Sequence, residues 1–119
     1  MGMFNSIFAD LTCAKRNKTS IHTEIQIKWQ DHDVRCLTNY VLGDILEEIE
    51  PEFNNTWIRT DFICNVCSIM KKSKSGENFI SIDGQRRHFV YILINEGKIR
   101  EILTHKEFKK RNVEKFVIY

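Results

Sequence analysis

The sequence predicts an α+β domain dominated by an antiparallel β-sheet. Several segments alternate apolar and polar residues with a period of two, which is typical of half-buried strands. Short turn sequences separate these segments, and one helix-start signature occurs near the C-terminus. We expect residues 1–119 to form a single domain, because a chain of this length falls within the usual size range of one hydrophobic core.

The composition is that of an ordinary globular protein. Hydrophobic residues make up 42% of the chain and charged residues 29%, which excludes the weakly hydrophobic, disordered class. No window reaches the roughly 18 apolar residues that a membrane-spanning helix needs. Residues 1–13 have neither the basic start nor the long apolar run of a secretion signal. We therefore expect a cytoplasmic protein that does not bind a membrane.

Two strand patterns stand out in the first two thirds of the chain. Residues 21–29 alternate apolar or β-branched side chains with polar ones, which predicts a strand with one buried face. Residues 57–64 alternate more weakly. This second predicted strand leads directly into a pair of cysteines.

Residues 37–50 are ambiguous between helix and strand. Four apolar residues of this segment recur at helical spacing: Leu37, Val41, Ile45 and Ile49. In the middle of the segment, however, Gly43 and Asp44 are typical of a turn that follows a short strand. Both interpretations stay open.

The clearest turn signal is the pair Asp83-Gly84, which lies between two apolar runs, residues 79–82 and 86–94. An Asp-Gly pair supplies the positive φ angles that a two-residue type I′ turn requires. The sequence therefore predicts a β-hairpin formed by these two runs.

The second run contains the strand that we expect at the centre of the sheet. Residues 88–94 are apolar on both faces, which indicates that both faces are covered. Residues 95–97, Asn-Glu-Gly, favour a turn. Residues 98–103 should therefore be the next neighbour of the central strand.

A short helix and a last strand are predicted at the C-terminal end. Thr104 followed by Glu107 is a capping box, so a helix should cover about residues 105–111. Asn112 can end this helix in the left-handed conformation. Residues 113–119 then have the composition of a strand that closes the sheet.

Charge is divided unevenly along the chain. Residues 1–61 contain 6 Lys/Arg and 10 Asp/Glu, a net charge of −4, whereas residues 62–119 contain 12 and 6, a net charge of +6. The basic half could attract nucleic acid, but strand pairing between the halves would interleave the charges and cancel most of the field. We favour the second interpretation, because nucleic-acid binders usually carry a larger positive excess. Any nucleic-acid binding should be weak and salt-dependent.

Four cysteines in a cytoplasmic chain indicate metal binding, redox chemistry or simple burial rather than structural disulfides. Cys64 and Cys67 form a C-x-x-C pair at the end of a predicted strand, where a tight turn can present two thiolates to one tetrahedral Zn²⁺. Cys13 occupies a similar corner between two strand-like segments. Cys36, beside Leu37, lies in an apolar setting and is better explained as a core residue.

These two corners make the chain resemble a zinc ribbon, in which two such knuckles share one zinc ion. The resemblance implies three ligands for a structural Zn²⁺: Cys13, Cys64 and Cys67. The chain departs from the ribbon pattern at Arg16, which stands where the first knuckle should have its second cysteine. The site therefore needs Cys36, His22 or a water molecule as its fourth ligand. A metal-free relic of a ribbon is the alternative.

Two other chemical roles have weaker support. A thiol-redox role for Cys64 and Cys67 needs a helix N-terminus that stabilises the thiolate, and the short lysine-rich residues 68–76 do not predict such a helix. Arg86, Arg87 and His88 follow the Asp-Gly pair, with Arg86 and His88 on one face of a predicted strand, and together they could hold a phosphate group. Such clusters are more often solvated strand ends.

The function predicted from these features is a small binding or adaptor module that is not an enzyme. The sequence contains no glycine-rich phosphate loop, Ser-His-Asp arrangement or paired-carboxylate motif. We expect its partner to be another protein. The first alternative is a nucleic-acid-binding protein that uses the basic second half, and the second is a thiol-redox protein that uses Cys64 and Cys67.

Overall fold

The computed structural model describes residues 5–13, 15–27, 39–46 and 51–118. Within these ranges the chain forms the following elements: β1 (Asn5–Thr12), β2 (Thr19–Ile27), β3 (Asn39–Tyr40), β4 (Thr56–Ile63), β5 (Met70–Lys72), β6 (Asn78–Ile80), β7 (Arg87–Asn95), β8 (Lys98–Thr104), α1 (His105–Lys110) and β9 (Val117–Ile118). Short 3₁₀ turns occur at Pro51–Phe53 and Ile82–Gly84. The predicted fold class, α+β with a mainly antiparallel sheet, is confirmed.

The described strands form two larger sheets and one small hairpin. The strand order is β8-β7-β4-β9 in the four-stranded sheet and β2-β1-β3 in the three-stranded sheet, whereas β5 and β6 pair only with each other. One hydrophobic cluster contains Ile7 and Ile25 of the three-stranded sheet together with Ile58 and Ile92 of the four-stranded sheet. The two larger sheets therefore pack against each other around a shared core.

The predicted alternation of β2 and β4 is confirmed. In β2, Thr23, Ile25 and Ile27 are buried and the residues between them are exposed. β4 also buries every second residue, as Ile58 and Phe62 show. Residues 28 and 29, predicted as the end of the first strand, lie outside the described residues.

β7 is an interior strand, as predicted, and lies between β8 and β4. The consecutive residues Val90, Tyr91 and Ile92 are all buried, so both faces of this part of the strand are covered. Glu96 and Gly97 have φ angles of 52° and 72°, and they form the turn that joins β7 to β8. The predicted turn and the predicted neighbour strand are both confirmed.

The predicted C-terminal helix is α1, and its capping box is present. The Thr104 hydroxyl accepts a hydrogen bond from the Glu107 N–H (3.4 Å), and the Glu107 carboxylate accepts one from the Thr104 N–H (3.1 Å). Asn112 has a φ of 54°, the left-handed conformation expected after the helix. The last strand, β9, is short and pairs in parallel with β4 at the sheet edge.

The ambiguous segment is a strand and a turn wherever it is described. β3 pairs in parallel with β1, and Gly43 (φ 95°) lies in the turn that follows. The helical interpretation is therefore wrong for residues 39–46. Residues 37, 38 and 47–50, together with Cys36, lie outside the described residues.

The hairpin predicted around Asp83-Gly84 is wrong. β6 pairs with β5 instead of β7, and Gly84 ends a 3₁₀ turn without a positive φ. The reason lies in a close backbone approach: the Gly84 carbonyl accepts a hydrogen bond from the Ile69 N–H (2.9 Å). A Cβ added at Gly84 would lie 2.9 Å from the Ile69 carbonyl oxygen. Glycine is needed here for its small size.

Replacing Gly84 by alanine should lower the free energy of unfolding by about 1–3 kcal/mol, the usual cost of overpacking. The new methyl group would push against backbone rather than against a side chain that can rotate away. Urea denaturation would measure the change. The control is Ile82→Ala in the same turn, which should cost less than about 0.5 kcal/mol because Ile82 is 88% exposed. Equal costs for the two variants would contradict the prediction.

Candidate metal centre

Four side chains with metal-ligating atoms converge where the β1–β2 corner meets the end of β4. They are Cys13, Cys64, Cys67 and His88, and their donor atoms all lie within 4.8 Å of one another. The first two residues are buried, and the other two are partly exposed. The cluster thus lies at the edge of the shared core, within reach of solvent.

Cys13 directly follows β1, in the corner that leads to β2. Its N–H donates to the carbonyl of Lys18 (2.8 Å), and its carbonyl accepts from the N–H of Asn17 (2.7 Å). Asn17 has a φ of 52°, a left-handed conformation that asparagine adopts more readily than most residues. This tight corner leaves Cys13 only 2% exposed and holds its Sγ beside Cys67, in the turn after β4, and His88 of β7.

Cys64 and Cys67 lie in the turn that follows β4, which we call the knuckle (residues 64–68). The Cys64 N–H donates to the carbonyl of Arg86 (2.8 Å), and the Cys64 carbonyl accepts from the Ser68 N–H (2.9 Å), which closes the turn. The Ser68 hydroxyl in turn accepts from the Arg86 N–H (3.0 Å). The knuckle is therefore bonded at two points to the residue that precedes β7.

His88 reaches the site through the pairing of β4 with β7. In this antiparallel pair His88 lies opposite Phe62, two residues before Cys64. Its ring packs edge to face against Phe62, with the centroids 5.9 Å apart. The His88 Nε2 atom is 3.4 Å from the Cys67 Sγ and 3.7 Å from the Cys13 Sγ. The imidazole thus faces two of the three sulfur atoms.

Three of the donor–donor distances are close to those expected around one tetrahedral zinc ion. Zn–S bonds of about 2.3 Å and Zn–N bonds of about 2.0 Å would place two sulfur atoms about 3.8 Å apart, and a sulfur and a nitrogen about 3.5 Å apart. The two sulfur–nitrogen distances, 3.4 and 3.7 Å, bracket the second value. The Cys13 and Cys67 sulfurs are 3.3 Å apart, and the three cysteines are free thiols. A small outward movement would admit the ion.

The thiols of the site differ in acidity. Burial raises the pKa of Cys13, but hydrogen bonds from the Cys67 thiol and from backbone N–H groups of the β1–β2 corner outweigh burial and lower this pKa to about 6. Burial raises the pKa of Cys64, and its contacts with the other two thiols add to the rise. The lowered pKa favours the thiolate form of Cys13, the form that binds a metal cation.

Comparison with known proteins gives no match. No protein family, curated protein or solved structure matches this chain. In the part of the chain that the structure describes, no helix is long and apolar enough to cross a membrane. The case for a metal site therefore rests on the geometry of the four side chains.

The structure brings together the three cysteines that the sequence analysis selected: Cys13, Cys64 and Cys67. Their binding of a metal stays a prediction. The structure does not test two of the residues considered as the fourth ligand, because Cys36 and the side chain of His22 lie outside what it describes. Arg16, which replaces the expected ribbon cysteine, is exposed at the corner.

Sequence reasoning missed His88 as a member of the cluster. It assigned His88 and Arg86 to a phosphate site or a solvated strand end, because no short spacing motif connects His88 to a cysteine. The signal that identifies it is the register of β4 against β7, which places His88 opposite Phe62, two residues before the knuckle. That register follows from strand pairing and is not visible in a local motif.

Proposed function

We propose that the protein is a small binding module whose two larger sheets are joined by a structural zinc ion. The proposal rests on one observation, the mutual approach of four donor atoms within 4.8 Å. Three thiolates and one imidazole are a standard ligand set of structural zinc. Magnesium and calcium prefer oxygen ligands, so the soft sulfur donors favour zinc over both.

A structural role is supported by the number of protein ligands. Catalytic zinc sites keep one coordination position open for water or substrate, whereas structural sites are closed by four protein ligands. Here His88 can take the position that sequence analysis assigned to Cys36, His22 or water. A closed site supports the proposal that the protein is not an enzyme.

The site is proposed to be a variant of the zinc ribbon. The β1–β2 corner and the knuckle take the places of the two ribbon corners. Arg16 occupies the missing ligand position of the first corner, and His88, from a strand, completes the set. The ion would then connect β1 in one sheet to β4 and β7 in the other.

Protein binding by this module also stays a proposal. What supports it is a group of exposed apolar side chains in the segment that follows the knuckle: Ile69, Met70, Phe79 and Ile82. Clusters of exposed apolar groups often mark a surface that contacts another protein. Ile69 directly follows the knuckle, and its N–H donates a hydrogen bond to the Gly84 carbonyl. A metal ion in the knuckle would therefore help to hold the backbone of this surface in place.

Metal analysis tests the proposal directly. Protein purified without a chelator and kept reduced should contain one zinc ion per chain. Replacement of zinc by Co²⁺ should produce the sulfur-to-metal charge-transfer absorption of a thiolate site, and removal of the metal should lower the melting temperature, because structural zinc binding contributes to the free energy of folding. A reduced chain that does not bind added zinc would be a metal-free relic and would overturn the proposal.

A further inference from the structure

A groove of about 460 Å³ lies beside the proposed zinc site, between β7, the start of α1 and the β1–β2 corner. Aromatic rings of Phe62, Phe89 and His105 contribute to its wall. Its volume lies within the range of pockets that hold small ligands or single groups of larger ones. Nothing in the structural role of the zinc ion requires such a groove.

The charged side chains around this groove are almost all positive. Lys15, Arg87, Lys106 and Lys109 line it. The one carboxylate among the described lining residues is that of Asp61, which forms an ion pair with Arg87 at 2.8 Å. Within the described residues, the three lysines form no ion pair. They remain exposed and available to an anion.

The positive surface continues past the groove. A second depression shares Lys15 and Arg87 with the groove and adds Arg16 and Arg86. The cations therefore form one continuous band, which we call the basic band: Lys15, Arg16, Arg86, Arg87, Lys106 and Lys109. It combines residues from both halves of the chain, so the charges of the two halves do not cancel here.

Phe89 is the aromatic residue that distinguishes this groove from a simple patch of charge. It is 44% exposed although it lies in an interior strand. The guanidinium of Arg59 lies over one face of the ring, 4.4 Å from its centre, and the centre of the His105 ring lies 5.7 Å away. An exposed ring beside cations can stack on a planar group that carries negative charge close by.

We propose that this groove binds single-stranded nucleic acid, with a base stacked against Phe89 and the phosphates on the basic band. Exposed aromatic rings along a positively charged groove are the features by which proteins bind single strands without sequence preference. An acidic peptide would match the cations, but its small carboxylates do not offer Phe89 the broad aromatic face of a base. An anionic membrane surface is nearly flat, so it would fit a flat protein surface better than this concave groove. This function is additional to the structural role of the zinc ion.

Part of the basic band has a second explanation. Three thiolates and one Zn²⁺ carry a net negative charge, and the nearby Arg16 and Arg86 can compensate it. Lys106 and Lys109, on α1, and Phe89 are not part of the metal site. Substitution of these three residues therefore distinguishes nucleic-acid binding from charge compensation of the zinc site.

The test uses the zinc-loaded full chain and a fluorescein-labelled oligo-dT in a fluorescence anisotropy titration. Wild-type protein should bind weakly and lose affinity steeply as salt rises. Phe89→Ala should weaken binding about five- to a hundredfold, the range observed for loss of one stacked base. The double variant Lys106→Glu/Lys109→Glu should also weaken binding. It should reduce the slope of log affinity against log salt by about 0.7 for each phosphate that the protein no longer neutralises.

Matched control variants lie on the β5–β6 hairpin, outside the groove. Phe79 is also 44% exposed, so Phe79→Ala removes an aromatic ring of equal exposure, and Lys72→Glu/Lys74→Glu makes the same charge change. Zinc content and circular dichroism should be unchanged in all four variants. The proposal is overturned if Phe89→Ala binds as well as Phe79→Ala, or if the two charge variants weaken binding equally. It is also overturned if polyglutamate or phosphatidylserine vesicles compete as effectively as unlabelled oligo-dT.

Discussion

Replacing Cys64 by serine should abolish stoichiometric zinc binding and lower the free energy of unfolding of the zinc-loaded protein by about 3 kcal/mol or more. Cys64 is 1% exposed, and its Sγ is one of the four clustered donor atoms. A serine hydroxyl is a poor zinc ligand and leaves the other two sulfurs without a complete site. The zinc affinity should fall more than about a hundredfold, because even contacts outside the ligand set can change it by 10- to 100-fold.

Competition with a chromophoric chelator would measure the affinity, and urea denaturation at fixed free zinc would measure the stability. The control is Cys36→Ser, which removes the cysteine that the proposed ligand set does not include. This variant should keep its zinc. If the chain is a metal-free relic, Cys64→Ser should cost only about 1 kcal/mol, the ordinary scale of a point substitution, and added zinc should not change the result.

Replacing His88 by glutamine should weaken zinc binding about a hundredfold while some zinc is still bound through the three thiolates. At zinc concentrations that saturate both proteins, a loss of this size corresponds to about 2.8 kcal/mol of stability, since each tenfold change in affinity is about 1.4 kcal/mol. In the cobalt-substituted protein the charge-transfer absorption should persist, because the sulfur ligands remain. The ligand-field bands should shift, because a water molecule replaces the imidazole.

The control for this substitution is His105→Gln. His105 also lies near β7, but its Nδ1 atom pairs with the Tyr91 hydroxyl at 2.9 Å and is not part of the cluster. Its substitution should leave zinc affinity unchanged. If His88→Gln binds zinc as tightly as the wild type and Cys36→Ser does not, the fourth ligand is Cys36 and the proposed ligand set is wrong.

The parts of the fold that could be predicted are those that depend on local sequence. The alternation of β2, the two covered faces of β7 and the capping box of α1 are properties of a few neighbouring residues, and all are present in the structure. The prediction of a hairpin turn at Asp83-Gly84 was wrong, because a tertiary contact determines the backbone conformation there. Gly84 is required by its approach to Ile69, and this approach is not encoded in the dipeptide.

The candidate site also has a part that local sequence predicts and a part that depends on tertiary structure. Cys13, Cys64 and Cys67 could be selected because each lies at a corner beside a strand, where zinc-ribbon ligands occur. His88 could not be selected, because it joins them only through the register of β4 against β7. The exposure of Phe89 in an interior strand likewise depends on how α1 and the neighbouring strands are placed. Non-local pairing is what the sequence patterns do not contain.

The order of the ligands along the chain has a consequence for synthesis on the ribosome. Cys13 and Cys67 are 54 residues apart, and His88 is a further 21 residues along the chain. The β1–β2 hairpin therefore emerges from the ribosome long before the other three proposed zinc ligands do. Until they emerge, the Cys13 thiol has no complete metal site. Bringing such distant segments together carries a loop-closure cost that the β4–β7 pair must first offset. Zinc would then bind late in folding and secure a chain whose strands are already paired.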